Sequence, residues 1–359
     1  MFYYFDDGVK FTSKVETLSY SQKTGLKPKF YYYDHVYEKL DWTIEPPETL
    51  DYYYKEQAQR IRDNYDYVIL AYSGGYDSTN ILETFHFNNI KLDKIITVGA
   101  LSQDSESGVD ENHNGELYHN VFPYVKELGL ESIFEVIDYT TYFSNINNFS
   151  ITKHNENWVD KIGAWFSPHN WFWNDIERYV VPTEWKGKKV ALLFGKDKPS
   201  LFYDESASHQ YKLPNHSFQL NGFAFRDTPV LSYAATAKDE DVDRINFYWD
   251  PSYTDILLKQ VHSINRVYQI TMSTGYSHEV GVQNFSLIDT NSIVYSLRKK
   301  LLYKSLKSKT NILSLRDNYL MNNKNSDVYE LYTKGINKIS QSVGLNEMIP
   351  IRSKFYEII

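Results

Sequence analysis

The sequence predicts an α/β protein: a doubly wound parallel sheet followed by a C-terminal helical domain. Between residues 65 and 200, short apolar runs alternate with amphipathic segments of helical period, which is the pattern of parallel strands joined by helices. A glycine-rich turn follows the first apolar run, and beyond residue 200 the recurring pattern is helical. Such a sheet is expected to bind its ligand at the carboxyl ends of the strands.

The elements are justified in order along the chain. Residues 1–48 contain breakers around an aromatic run, and we expect an N-terminal extension that lies on the core. Residues 49–64 have the register of a helix. Residues 65–72 contain the run Val68-Ile69-Leu70-Ala71, which predicts a first strand that is buried on both faces.

Three further helix and strand pairs complete the predicted sheet. The predicted helices are 78–88, 116–128 and one that ends over 174–180, and the predicted strands are 94–98, 133–137 and 189–194. Helical periodicity then marks 252–271, 290–308 and 327–343. We therefore divide the chain into the extension 1–48, an α/β domain 49–200 and a mainly helical C-terminal domain 201–359.

The composition favours a folded chain and excludes several kinds of chemistry. The 359 residues are 42% hydrophobic, which is enough for one large domain or two. The formal charge of -8 gives no overall positive field for nucleic acid. The absence of cysteine excludes disulfides, thiolate-bound metal clusters and a thiol nucleophile. No apolar run and no leader of the kind that enters membranes is recognisable, so we expect no membrane partner and a cytoplasmic location.

The turn after the first strand carries the most specific signal. It reads Ser73-Gly74-Gly75-Tyr76-Asp77-Ser78-Thr79. Two glycines let backbone N–H groups approach an anion, the next helix adds the positive end of its dipole, and the hydroxyls can donate hydrogen bonds. The turn has neither the Gly-Lys-Ser/Thr of a Walker loop nor the GxGxxG of dinucleotide sites. It predicts a phosphate cradle.

A strand followed by SGGYDS resembles the PP-loop of the ATP pyrophosphatases, whose motif is SGGxDS. The motif covers six residues, and a compatible alternation of strands and helices covers about residues 65–200. The resemblance implies an adenine nucleotide alpha hydrolase-like (HUP-like) fold with ATP and Mg²⁺ as cofactors. It also implies that ATP is cleaved to AMP and pyrophosphate, because members of this superfamily adenylate a substrate oxygen before a nucleophile displaces AMP.

The resemblance assigns roles to individual residues. It implies that the β,γ-pyrophosphate is held by Ser73, Gly74, Gly75, Asp77, Ser78 and Thr79. Asp77 is also the implied magnesium ligand, since Mg²⁺ takes oxygen ligands and usually needs only one or two carboxylates beside the phosphates. Adenine is implied to lie at the end of the second strand, at Thr97, Val98, Gly99 and Ala100. Gly99 is equally consistent with a plain turn.

A second acidic loop is expected after the fourth strand, where the chain reads Gly195-Lys196-Asp197-Lys198-Pro199. By position it resembles the later acidic loop of the asparagine-synthetase-like enzymes, which carry Gly-Glu-Gly-x-Asp there. This placement implies Asp197 as the second magnesium ligand. Lys198, with Lys196 beside it, is the group expected to stabilise the departing pyrophosphate. The alternative is a solvated turn.

The resulting hypothesis is an adenylating ligase nearest to the asparagine-synthetase-like branch. It activates a carboxylate, amide or base carbonyl of a small-molecule or nucleic-acid acceptor for attack by ammonia or an amine. An ammonia-supplying partner is compatible with the chain, since it has no cysteine for its own glutaminase. Two alternatives stay open: a nucleotide-binding interaction protein without turnover, and an enzyme that modifies a tRNA or DNA base. Enrichment in Asn, Lys and Tyr suits a phage or AT-rich genome, which would make the host cytoplasm the location.

Overall fold

The N-terminal segment builds a small antiparallel sheet. The computed structural model describes residues 2–101, 114–161, 169–195, 201–202, 222–223, 225, 227, 241–273, 323–344 and 351–358. The N-terminal elements are β1 (Phe2–Tyr4), β2 (Lys10–Phe11), α1 (Lys14–Thr24), β3 (Lys29–Tyr31) and α2 (Asp34–Tyr37). The strand order is β2-β1-β3. Tyr3 and Phe30 pair across two of the strands and are both fully buried, so one face of this sheet is packed against the rest of the chain.

The elements between residues 50 and 194 alternate as the sequence predicts. They are α3 (Leu50–Asn64), β4 (Tyr67–Ala71), α4 (Tyr76–Phe87), β5 (Lys94–Gly99), a π-helical turn (Leu117–Val121), α5 (Phe122–Glu127), β6 (Phe134–Asp138), α6 (Tyr139–Phe143), α7 (His169–Asn174), α8 (Glu177–Val180) and β7 (Val190–Phe194). Short 3-10 turns lie at Glu131–Ile133, Ile146–Asn148, Ser150–Asp160 and Thr183–Trp185. Thr49 caps α3 by accepting a hydrogen bond from the Tyr52 N–H, as expected for a threonine at this position.

The elements beyond residue 200 include one strand that the sequence did not predict. They are β8 (Leu201–Phe202), β9 (Gly222–Phe223), β10 (Val242–Asn246), α9 (Asp255–Ser273), α10 (Asp327–Ser342) and β11 (Tyr356–Glu357). Helices α9 and α10 correspond to two of the predicted helices, whereas the predicted helix 290–308 lies outside the described residues. Strand β10 belongs to the same sheet as β4, so part of the chain beyond residue 200 extends the parallel sheet.

A five-stranded, wholly parallel sheet lies at the centre of the protein, and its α/β architecture is as predicted. The strand order is β10-β7-β4-β5-β6, and every neighbouring pair is parallel. The chain builds outward from β4 through β5 to β6, then returns to the other side of β4 to add β7 and β10. This order is compatible with a doubly wound sheet. The direction of building reverses between β4 and β7, and such a switch point opens a crevice at the carboxyl ends of the strands.

The helix predicted over 116–128 is present, but its first half, Leu117–Val121, has a π-helical register. The Phe122 N–H bonds to the Leu117 carbonyl, five residues back, in a π-helical turn. Pro123 stands at the start of α5 and has no N–H for an ordinary helical bond to the carbonyl four residues earlier. The helical ladder is therefore interrupted at the proline, and the turn before it adopts the wider register. Turns of this kind occur frequently at functional sites.

The core follows the sheet. Strand β7 is buried along its whole length, and β4 is buried except at Ala71. Helix α9 packs against α3, where Gln260 Nε2 donates to the Tyr54 hydroxyl at 2.9 Å. Among the residues that the structure describes, no helix is long and apolar enough to cross a membrane.

Candidate functional site

The predicted phosphate cradle leaves the carboxyl end of β4 at the switch point of the sheet. The Tyr72 N–H still bonds to the Ile96 carbonyl of β5 at 2.8 Å, and the chain then turns away. Gly74 adopts a φ of 68°, a conformation that glycine takes without a steric penalty. Gly75 is the N-cap of α4, so the loop leads directly into the helix, and the N–H groups of a first helical turn are donors of the kind that bind anions.

The hydroxyls of Ser73 and Ser78 hold the loop closed. Ser78 is buried, and its Oγ accepts from the Ser73 N–H at 3.2 Å and donates to the Gly75 carbonyl at 3.1 Å. The two hydroxyl oxygens are 3.1 Å apart, and Ser73 Oγ accepts from the Gly75 N–H at 3.2 Å. Ser73 itself is exposed. The two serines thus shape the turn, and Ser73 is placed where a phosphate oxygen could take over its hydrogen bonds.

Asp77 lies in the first turn of α4, at the mouth of the loop, and is partly exposed. Its backbone carbonyl accepts a hydrogen bond from the Tyr248 hydroxyl at 2.7 Å, and the same hydroxyl accepts from Asn80 Nδ2 at 3.0 Å. Tyr248 is fully buried. The segment that follows β10 therefore fixes the orientation of the first turn of α4. Sequence reasoning did not find the contact between this segment and Asp77.

The backbone N–H and the side-chain hydroxyl of Thr79 both have partners next to the loop. Its N–H closes the first helical hydrogen bond to the Gly75 carbonyl at 2.7 Å, and its hydroxyl lies 3.4 Å from the Tyr72 hydroxyl. Burial raises the pKa of Tyr72 to about 12, with Glu83 adding to the effect and the Thr79 hydrogen bond opposing it. Tyr72 therefore stays protonated at neutral pH and can act as a hydrogen-bond donor beside the cradle.

The end of β7 touches the cradle. A Cβ atom added to Gly195 would lie 2.9 Å from both the Asp77 carbonyl carbon and the Ser78 nitrogen, and 2.8 Å from Ile81 Cδ1. The first residue after the fourth strand therefore lies directly against the first turn of α4. The predicted second acidic loop starts at this point, and its residues Lys196, Asp197 and Lys198 lie outside the described residues.

The end of β5 forms the other side of the crevice. The buried Val98 and the exposed Ser73 line one small cavity of about 10 Å³, together with Thr97, Asn114, Glu116, Leu117 and Val121. The structure thus brings the predicted cradle and the predicted adenine position to the same crevice. A volume of this size is about that of one water molecule. Residues of the segment 114–121 line this cavity.

Asn114 was not found by sequence reasoning. Its side chain accepts from the Ala100 N–H at 2.8 Å and donates to the Ala100 carbonyl at 3.4 Å. A lone asparagine at the edge of a polar stretch carries no sequence signal for such a contact, because the contact depends on how the chain returns to the sheet after β5.

The carboxylates near the cradle indicate what kind of metal ion could bind there. Asp77 offers hard carboxylate oxygens at the mouth of the loop, which suits Mg²⁺ when phosphate oxygens and water complete the shell. Among the described residues, no group of three or more His, Cys, Asp or Glu side chains is arranged to hold a metal on its own. The donor set therefore fits an ion that arrives with the nucleotide better than a protein-only metal cage.

A scan against protein-family models and a search of curated proteins both find no match for this chain.

Proposed function

We propose that the protein is an ATP pyrophosphatase-type ligase that adenylates an acceptor and joins it to ammonia or an amine. The observation that carries the proposal is the position of the SGGYDS turn, which leaves the central strand β4 at the switch point of the parallel sheet and feeds α4. Open parallel sheets bind ligands at this place. The motif and the topology are independent observations, and both favour an anion site at residues 73–78.

The chain's own groups suit the first half of such a reaction. The N–H groups at the start of α4 and the hydroxyls of Ser73 and Ser78 would bind the β,γ-pyrophosphate. Mg²⁺ held by Asp77 and, as proposed, by Asp197 would supply charge neutralisation on the phosphates. An acceptor oxygen attacks the α-phosphorus, the bond to the bridging oxygen breaks, and pyrophosphate departs.

The second half of the proposed reaction releases AMP. The amine attacks the activated carbon, the bond from that carbon to the AMP oxygen breaks, and the amine loses a proton. Lys198 is the proposed charge-stabilising group during pyrophosphate departure, because interactions that strengthen as charge develops lower the barrier. The acceptor class remains that of the sequence-based hypothesis: a carboxylate, amide or base carbonyl.

The direct test is the identity of the products from Mg·ATP. We expect AMP and pyrophosphate in equal amounts when the parent chain is incubated with pooled carboxylates, amines and tRNA. Asp77→Ala should abolish this release. The matched control is Asp63→Ala, which removes an exposed carboxylate at the far end of α3 and should change nothing. Stoichiometric ADP and phosphate would place the protein in another class.

A second candidate is a nucleotide-binding protein without turnover. The loop after β7 favours it, since Gly195-Lys196-Asp197-Lys198-Pro199 departs from the Gly-Glu-Gly-x-Asp pattern of the asparagine-synthetase-like enzymes. The same experiment separates the two candidates. Saturable Mg·ATP binding that depends on Asp77, without pyrophosphate release under any acceptor pool, would support the binding protein and contradict the ligase.

A further inference from the structure

The carboxamide of Asn114 occupies a pair of backbone groups at the end of β5. It accepts from the Ala100 N–H and donates to the Ala100 carbonyl, at 2.8 and 3.4 Å, and both residues are buried. A backbone N–H beside its own C=O can read a planar partner that offers an acceptor next to a donor. The N1 and N6 edge of adenine offers this pattern, whereas the corresponding edge of guanine offers the reverse.

The rest of the same segment covers the crevice from β5 to the cradle. We call residues 114–121 the latch segment. A Cβ atom on Gly99 would lie 3.2 Å from Leu117 Cδ2 and 3.3 Å from Asn114 Oδ1. At the other end, a Cβ atom on Gly74 would lie 2.9 Å from Val121 Cγ2. The latch segment therefore packs on Gly74 and Gly99, two of the three glycines that the sequence placed in the nucleotide site.

The backbone of the latch segment has an irregular helical register, which favours a change of conformation. It contains the π-helical turn Leu117–Val121, a register that is rare in helices and is found frequently at functional sites. Pro123 interrupts the ladder immediately after the turn. The turn can therefore change register without breaking the hydrogen bonds of a continuous helix.

We propose that the latch segment is an autoinhibitory gate, and that the Asn114 carboxamide competes with the nucleobase for the Ala100 backbone pair. The inference rests on the proposed function, because it takes the cradle to be an ATP site. Nucleotide binding then requires the latch to lift, so the observed affinity is the affinity of the open form multiplied by its population. Weakening the latch should tighten binding, which is the opposite of what removal of an ordinary binding residue does.

The first test is the affinity for Mg·ATP of the parent, Asn114→Ala and Asn148→Ala, measured by titration calorimetry on the full chain. Asn148 is a matched control, because its amide also donates to a backbone carbonyl, that of Tyr142 at 3.0 Å, but lies away from the crevice. We expect Asn114→Ala to bind Mg·ATP about tenfold more tightly than the parent, as for the loss of one or two neutral hydrogen bonds. Asn148→Ala should bind like the parent.

The outcomes separate the gate from the proposed function. If the parent binds Mg·ATP and Asn114→Ala binds equally or more weakly, the gate is wrong and the nucleotide site stands. If neither chain binds, both are wrong.

A second measurement needs no variant and covers the case in which Asn114→Ala does not fold. Hydrogen exchange of the parent should show faster exchange at Leu117–Val121 when Mg·ATP is added, because the latch lifts. Slower or unchanged exchange there, with Mg·ATP bound, would overturn the gate.

Discussion

Gly195, the first residue after β7, lies directly against the first turn of α4. Side-chain atoms at this position would meet the Asp77 carbonyl carbon and the Ser78 nitrogen at 2.9 Å. Both are helix backbone atoms, so neither can move aside without shifting α4. The absence of a side chain at Gly195 thus lets the first turn of α4 lie close to the end of β7.

We expect Gly195→Ala to destabilise the fold by about 1–3 kcal/mol, the usual cost of overpacking, and to weaken Mg·ATP binding by displacing the first turn of α4. The control is Gly187→Ala. Gly187 has a φ of 74° and no atom within 4 Å of an added Cβ, so alanine there costs stability through backbone strain alone. Urea unfolding and ATP titration should show two destabilised chains, of which only Gly195→Ala loses affinity. Equal affinity in both would contradict the role of Gly195.

At the scale of elements, the segment after β10 supports α4 through hydrogen bonds. Tyr248 donates to the Asp77 carbonyl and accepts from Asn80, and its ring packs edge-on against Tyr54 of α3. The Tyr248 hydroxyl thus links α4 to the segment that directly follows β10, the strand that pairs with β7 on the side away from β4. The orientation of Asp77 depends on an element that lies more than 160 residues later in the chain.

Tyr248→Phe should lower the free energy of unfolding by about 1–2 kcal/mol, because it leaves buried polar groups without a partner. It should also raise the Mg²⁺ concentration needed for half-maximal ATP binding, because the turn that carries Asp77 loses its support. Tyr179→Phe is the control, since the Tyr179 hydroxyl donates to the Asn148 carbonyl at 2.7 Å at a distance from the cradle. A raised Mg²⁺ requirement in both variants would indicate general destabilisation instead of positioning.

A second contact between elements should respond to pH. Glu45 forms ion pairs with two residues of α9, Lys259 at 2.8 Å and Arg266 at 2.5 Å. Partial burial raises the pKa of Glu45, but hydrogen bonds and charges from Arg266 and Lys259 outweigh it and hold the pKa at about 2, below the ordinary 4.5. A lowered carboxyl pKa stabilises the fold above about pH 4.5, and this contribution is lost as the pH falls towards 2.

We therefore expect Glu45→Gln to cost about 1 kcal/mol at pH 7, the upper range for a solvent-accessible ion pair, and little near pH 2. Thermal unfolding of the parent and the variant at pH 7, 4 and 2 measures this difference. Glu131→Gln, which changes an exposed glutamate, should give no such pH-dependent difference. A cost that stays constant from pH 7 to pH 2 would show that the charge of Glu45 does not contribute.

At the scale of the whole molecule, distant parts of the chain share buried polar contacts. Asp227 accepts from the Ile351 N–H at 2.7 Å and from the Tyr3 hydroxyl at 3.1 Å, and its other partner is Lys14 at 2.9 Å. The Tyr37 hydroxyl donates to the Trp249 carbonyl at 2.9 Å. These contacts join the first 48 residues to segments beyond residue 200, on either side of the predicted α/β domain.

We predict that residues 49–200 expressed alone will not unfold cooperatively. The fragment lacks β10, which pairs with β7 over its whole length, and it lacks α9, which covers α3. Urea unfolding followed by circular dichroism should show a broad, non-cooperative change, with the full chain as the cooperative control. A sharp transition in the fragment would show that 49–200 is an independent domain.

The sequence alone located the four strands β4, β5, β6 and β7 and the cradle between β4 and α4. It could do so because strands buried on both faces are short apolar runs, and because the SGGYDS turn needs its glycines and hydroxyls in a fixed local order. It did not predict β10, whose sequence Val-Asp-Arg-Ile-Asn interrupts the apolar run. The charged Arg244 is buried there because its guanidinium bonds to Glu177 Oε2 at 2.6 Å.

The tertiary structure decided everything that depends on contacts between distant segments. A local pattern records which residues are apolar or turn-forming, but it holds no information about the partner that makes a buried charge or amide tolerable. The return of the chain to the free side of β4 therefore placed Gly195 against Asp77 and brought Tyr248 to the first turn of α4. The connection between β5 and β6 set the Asn114 carboxamide on the Ala100 backbone. The local sequence is enough to predict the cradle. The contacts that support the cradle, and the segment that packs over it, depend on how the sheet assembles.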